Sequence, residues 1–171
     1  MNYQRYQAIP TVNLQDRRWP SSRITKAPQW CSVDLRDGNQ ALEVPMTLEQ
    51  KVDFFDFLCE TGFKTIEIGF PAASETDYNF CRYLIDNNLI PEGVAIQVLT
   101  QSRPHIIEKT MDAVRGAREV VIHLYNSTST LQREVVFGFD RKECIDLAVS
   151  GAKMIREYID GDKSDTRVIC E

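Results

Sequence analysis

Five residues with chemistry to offer stand almost side by side early in the chain. They are Asp34, Arg36, Asp37, Asn39 and Gln40, within WCSVDLRDGNQALEVPM at 30–46. Arg36 carries a planar, permanently charged fork suited to a carboxylate or a developing oxyanion. Asp37 carries hard oxygens suited to Mg2+, Mn2+ or Zn2+. Gly38 lets the backbone turn tightly behind them. The bland reading of so dense a cluster is a salt-bridged surface turn. The first six residues, WCSVDL, read as a buried strand, along which neighbours point to opposite sides. Arg36 and Asp37 therefore share a site only if that strand ends at about Leu35.

Three more polar residues interrupt apolar runs further on. Glu67 does so in KTIEIGFP, with Ile66 and Ile68 facing the other way; Gln97 does so in VAIQVLT, and His123 in EVVIHLYN. A buried glutamate is costly unless paired, and any one of the three alone would be read as a satisfied core polar group. Three converging beside the 34–40 cluster point instead to a site lining the mouth of a barrel.

Regular elements must hold these side chains, and the hydrophobic pattern supplies them. Short apolar runs fall at about 30–35, 64–69, 94–100, 119–124 and 166–170. Stretches of 3.6-residue period lie between them, at about 47–60, 75–89, 103–116 and 140–159. Thr47 with Gln50, Ser74 with Asp77 and Asp140 with Glu143 are placed to cap the helix starts. Gly62, Gly116 and Gly161 fall near helix ends, where a left-handed residue is wanted. In the last helix Ile145, Ala148, Ala152, Ile155 and Ile159 form one stripe, expected to be a core face. Alternation at this spacing predicts parallel strands with right-handed crossovers. An open doubly wound sheet and part of a (β/α)8 barrel both fit. No G-x-G-x-x-G follows the first strand, which weighs against a dinucleotide fold. The polar residues gather at C-terminal strand ends, where barrel enzymes keep their sites.

Composition sets the outer limits. The 171 residues are 43% hydrophobic and 26% charged, with a formal net charge of -5. That is enough for one domain with a sizeable core, and it leaves no general basic field for a nucleic acid. No apolar run nears the roughly 20 residues of a membrane span, and no signal-peptide core opens the chain. The five cysteines are odd in number and scattered, with no C-x-x-C pair, so neither a disulfide framework nor a thiolate zinc site is expected. A cytoplasmic location is the default expectation. Residues 1–29 hold Arg5, Arg17, Arg18, Arg23 and Lys26 against Asp16 alone, with three prolines. They read as an extended N-terminal arm, either simply disordered or packed along another subunit, ahead of a catalytic domain over 30–171.

The strings DLRDGNQAL followed by PM, then IEIGFPAAS, LTQSR and HLYNSTS, arrive in order and at plausible spacing. Together they closely resemble the 2-isopropylmalate synthase family, above all its longer bacterial and fungal form, from about residue 10 to the end. L-R-D-G alone would mark only the wider family of metal-dependent acyl-CoA condensing and cleaving barrels. The resemblance implies a TIM (β/α)8 barrel, with this chain covering about the first half and ending in about strand 5. It implies a Claisen-type condensation of acetyl-CoA, as co-substrate, with 2-oxoisovalerate, in the first committed step of leucine synthesis. It also implies a homodimer in the full-length form. Asp37 then matches a ligand of a divalent metal, expected to be Mg2+, with Mn2+ or Zn2+ as alternatives. Arg36 matches the catalytic residue that stabilises enolate or alkoxide charge. His123 matches a substrate-binding histidine, and Gln40 and Glu67 its substrate-binding neighbours.

Such enzymes also take a His-x-His metal pair from late in the barrel, and His105 and His123 are too far apart to supply it. A lid-like subdomain and a leucine-binding regulatory domain would follow. The family's active glutamate is expected just past Glu171, which is not assigned a role. The 171 residues alone are accordingly expected to be inactive and to bind metal poorly. Two other readings stand beside this one: a non-catalytic regulatory or assembly module built on the same fold, and a related synthase taking 2-oxoglutarate or pyruvate, such as a homocitrate or citramalate synthase.

Overall fold

Local chemistry starts and stops each helix. Thr47 opens α1 (Leu48–Thr61) with a reciprocal box, its hydroxyl accepting from Gln50 N–H while the Gln50 side chain accepts from Thr47 N–H. Gly62 closes it at φ 105°, a conformation costly for any residue with a Cβ. Ser74 caps α2 (Glu75–Asp86) by accepting from Asp77 N–H. Pro104 stands in the first turn of α3 (Pro104–Val114), where its missing N–H costs nothing. Asp140 and Glu143 exchange backbone and side-chain bonds at the start of α4 (Arg141–Asp160). The structure is a computed structural model; it describes Arg5, residues 26–160 and the backbone of 165–170. Most of the expected arm over 1–29, and Gly161, lie outside the described residues.

Between the helices run β1 (Cys31–Ser32), β2 (Thr65–Gly69), β3 (Ala95–Gln101), β4 (Glu119–Tyr125) and β5 (Asp165–Cys170). All four pairings are parallel, and the strands neighbour one another in sequence order. A doubly wound sheet reverses its strand order and carries helices on both faces; this one does neither. Ile66 and Ile68 of β2, Ile96 and Val98 of β3, and Val120, Ile122 and Leu124 of β4 share one core. Phe55 of α1, Phe80 and Leu84 of α2, Ile107 of α3 and Ile155 of α4 complete it. Helices α1 to α4 thus pack on one face of the sheet, as in half of a (β/α)8 barrel. Strand parity puts Glu67, Gln97 and His123 on the other face.

Two expectations need correction. The first strand was expected to run to Leu35, but β1 stops at Ser32 and a single π-helical turn, Asp34–Gly38, follows. Ser32 Oγ donates to Asp34 Oδ2 at 2.6 Å, and Gly38 N–H reaches Val33 O at 3.2 Å, so local bonds replace the sheet ladder. The stripe on α4 is only partly core. Ile155 is buried and Ala148, Ala152 and Ile159 are half-buried, but Ile145 is 62% exposed. Ile145 borders an open groove beside the end of β4.

Candidate active site

Glu67 is the centre of the site. Its side chain is 0% exposed, and three donors from three elements converge on it. Arg36 Nε–H donates to Oε1 at 2.6 Å. Gln97 Nε2 donates to Oε2, and His123 Nδ1 lies 2.7 Å from the same oxygen. A carboxylate only accepts, so this bond puts the proton on Nδ1 and fixes the orientation of the ring. Sheet register explains the convergence. Glu67 stands opposite Gln97, and Leu99, two residues on along the same face, stands opposite His123. One hydrogen-bonded row therefore crosses three strands. Burial alone would raise the Glu67 carboxyl; the bonds from Gln97, Arg36 and His123, with the charge of Arg36, outweigh it and hold the group below the usual carboxylate range.

Arg36 reaches this row because of the π-helical turn. Leu35 points into the core, fully buried, while the next residue is free to point the other way. The Arg36 side chain is 19% exposed and also pairs through Nη1 with Asp37 Oδ1. Asp37, 57% exposed, stands at the solvent edge of the cluster. Asn39 is buried and accepts Met46 N–H at 2.8 Å, closing the loop that runs to α1. Of the six side chains expected to form the site, the structure joins Arg36, Asp37, Glu67, Gln97 and His123 in one chain of contacts. Gln40 is exposed beside them and shares none of the Glu67 bonds.

Asp37 is the exposed carboxylate in direct contact with the Arg36 fork. Among the described residues no group of three or more His, Cys, Asp or Glu is placed to hold a metal ion, and selective sites use several ligands. The residues present do not by themselves make a metal site. A separate groove of about 650 Å3, lined by Leu124, Asn126, Arg133, Arg141 and Ile145 among others, opens beside the end of β4. Leu124 belongs to the helix-facing side of the strand, so this groove lies between β4 and α4 and not over Glu67.

A second buried ion pair was missed from the sequence. Lys51 of α1 is 1% exposed, and its Nζ lies 2.7 Å from Asp77 Oδ1 on α2 and 3.4 Å from Leu35 O. The signal was there: Lys51 falls on the buried stripe with Phe55 and Leu58, where an apolar residue is expected.

The chain is 63% identical over 157 residues to a 2-isopropylmalate synthase of Acetoanaerobium sticklandii, covering 92% of this chain and 28% of that protein. It is 58% identical over 153 residues to one of Rhodospirillum rubrum, covering 90% and 27%. To one of Clostridium acetobutylicum it is 54% identical over 158 residues, covering 92% and 28%. The chain thus spans a little over a quarter of the length of these curated relatives. No helix among the described residues is long and apolar enough to cross a membrane. The HMGL-like family matches residues 27–171, which include every strand, every helix and the whole Arg36–Glu67–His123 row, and the chain belongs to that family.

Proposed function

We propose that the full-length protein condenses acetyl-CoA with 2-oxoisovalerate to give 2-isopropylmalate and CoA. The observation that carries this reading is the Arg36–Glu67–His123 row on the inner face of the parallel strands, with Arg36 just past the end of β1. The names of the relatives support it. In the reaction the acetyl methyl loses a proton, the enolate carbon attacks the keto carbon, and water then cleaves the thioester to release CoA. Negative charge builds first on the thioester oxygen and then on the former keto oxygen. Arg36, 19% exposed and held on a buried carboxylate, is positioned to meet that charge, and such interactions strengthen as water is excluded.

In this reading Glu67 orients rather than touches substrate, because three donors occupy its oxygens. It fixes both the Arg36 fork and the His123 ring, and His123, 13% exposed, presents its remaining edge to the keto acid. Gln40 lies on the exposed rim, where it would meet the carboxylate end of the substrate. Asp37 supplies one oxygen donor to a divalent cation, whose Lewis acidity would polarise the keto group; its other donors come from outside the described residues. The cluster on this face also favours this reading over a non-catalytic module, which would have no use for an arginine held on a buried glutamate.

The test is acetyl-CoA-dependent thiol release by the full-length protein, with 2-oxoisovalerate, 2-oxoglutarate and pyruvate in parallel. The expected result is turnover with 2-oxoisovalerate at the highest kcat/KM. A preference for either other acid would reassign the acceptor within the same chemistry. Absence of turnover with all three, in folded protein supplied with Mg2+ or Mn2+, would leave the module reading.

A further inference from the structure

Lys51, 1% exposed, and Asp77, 17% exposed, form a largely buried ion pair that does not touch Glu67. A buried pair is poor evidence for stability, since replacing both charges with apolar residues is often neutral or stabilising. What this pair holds is more specific. Lys51 Nζ donates to Leu35 O at 3.4 Å, inside the turn whose next residue is Arg36. It bonds Asp77 Oδ1 at 2.7 Å, and Asp77 Oδ2 accepts Phe70 N–H at 2.9 Å, in the loop that leaves β2 three residues after Glu67. The Phe80 ring lies under the ammonium, 5.4 Å to its centroid. A chain of polar contacts thus runs from the Arg36 turn through α1 and α2 to the end of the Glu67 strand.

The backbone is shaped around this link. A bulge after Glu67 brings Gly69 opposite Val98, on the helix-facing side. Gly69 adopts φ 153°, and a Cβ there would lie 2.7 Å from the Asp77 carboxylate. The strand therefore approaches the carboxylate as closely as only glycine permits.

We propose that Lys51 and Asp77 are positioning residues for the reaction: from behind the sheet they fix the separation of the Arg36 fork and the Glu67 carboxylate. This rests on the function proposed above. Neither residue touches substrate. Their loss should lower the chemical step while leaving binding of the oxo acid nearly intact, because Arg36 acts on charge that appears only in the transition state.

The experiment uses the full chain and two double variants. Lys51→Met/Asp77→Leu removes both charges and both backbone links. Lys51→Met/Asp77→Asn removes the charges but keeps an acceptor for Phe70 N–H. Each is read by thermal melt, by kcat and KM, and by the 15N–1H signal of Arg36 Nε, whose proton donates to Glu67. For the leucine variant the expected result is a melt close to wild type and kcat lower by roughly 10–100-fold, the usual effect of losing a supporting contact. KM for the oxo acid should change less than about threefold, with a displaced Arg36 Nε–H signal; the asparagine variant should fall between it and wild type. Wild-type kcat with an unmoved Arg36 signal would overturn the proposal. So would loss of activity that tracks unfolding in both variants, which would make the pair purely structural. If the wild-type protein itself shows no turnover, the proposed function fails, and the Arg36 signal alone still decides whether the pair sets the fork.

Discussion

Glu67→Gln is the sharpest perturbation of the site, because it changes one atom and removes one charge without altering volume. In the wild type both carboxylate oxygens face donors: Arg36 Nε–H on one side, Gln97 Nε2–H and His123 on the other. An amide must turn its NH2 toward one of those sides, where donor then meets donor. With the side chain fully buried, no water relieves the clash, and the Arg36 charge loses its buried partner. Removing one member of a buried pair costs about 3–5 kcal/mol. Arg36 retains a fifth of its exposure and its bond to Asp37, which favours the lower end, about 3 kcal/mol. Chemical denaturation should therefore show a loss of that size, and turnover should fall with it as the fork and the ring lose their anchor.

The same substitution carries a pH signature. The Glu67 pKa is lowered in the fold, against an unfolded value of about 4.3. Its contribution to stability is then fully present above the unfolded value and is lost as pH falls through the folded one. Between pH 5 and more acid conditions the wild type should lose stability that Glu67→Gln has already lost, so the variant's acid limb should be flatter. A change under about 1 kcal/mol at pH 7, with parallel acid limbs, would refute the reasoning. Glu67 would then be a well-hydrated carboxylate with adaptable partners, and the site would have no rigid centre.

Arg36→Lys should lower turnover by roughly 10²–10³-fold, comparable to deleting an oxyanion donor, with little change in the melt; near-normal turnover would reduce the 34–40 cluster to a surface turn. Asp37→Asn in the full-length protein should weaken divalent-ion binding measured by calorimetry and nearly abolish turnover while sparing the fold. Tight stoichiometric binding of Mg2+ or Mn2+ by the 171 residues alone would mean that they carry a complete site. Burial pushes the Cys81 thiol up to about 12 and the Cys59 thiol to about 11. A thiolate-specific reagent at pH 8 should therefore leave Cys81 untouched in folded protein and label it on unfolding, and rapid native labelling of Cys81 would contradict the packing of α2 on α3.

The regular parts of this fold were legible because each is written twice, once in hydrophobic period and once in a cap. α1 shows both, with its Thr47–Gln50 box and its Gly62 stop. The shared face of Glu67, Gln97 and His123 was legible from parity alone, but the bonds that join them were not, because parity does not fix the register between strands. Ser32 to Gly38 was not legible as drawn. An apolar run followed by charges gives no sign of whether a strand continues or a π-helical turn begins, and the choice is made by the Ser32–Asp34 bond and the burial of Leu35. Ile145 misled for a different reason. A helical stripe reports an apolar face, not what covers it, and at Ile145 that face meets the open groove.

The two irregularities of the backbone, the turn after β1 and the bulge in β2, serve the same end. A regular strand through residue 37 would put Arg36 and Asp37 on opposite faces, and one of the two would be lost to the helix side. The π-helical turn removes that conflict, sending Leu35 into the core and leaving Arg36 for Glu67. In β2 the conflict is reversed. Glu67 must face the site, and two residues later a regular strand would aim position 69 at the site as well. The bulge turns position 69 toward α2 instead, where glycine lets the Asp77 carboxylate close on the strand. Irregular backbone therefore occurs where one chain segment must supply both a site residue and a core contact within two or three positions. Removing the extra residue tests that account. Deleting Ile68 would leave Gly69 directly after Glu67 and still opposite Val98, so that a regular ladder carries it on the helix side. Glu67 would keep its bonds to Gln97 and His123 and Gly69 its place against Asp77, while the core would lose the Ile68 side chain. A crystal structure of that deletion with Gly69 turned to the inner face would show that alternation along β2 does not set the approach to Asp77.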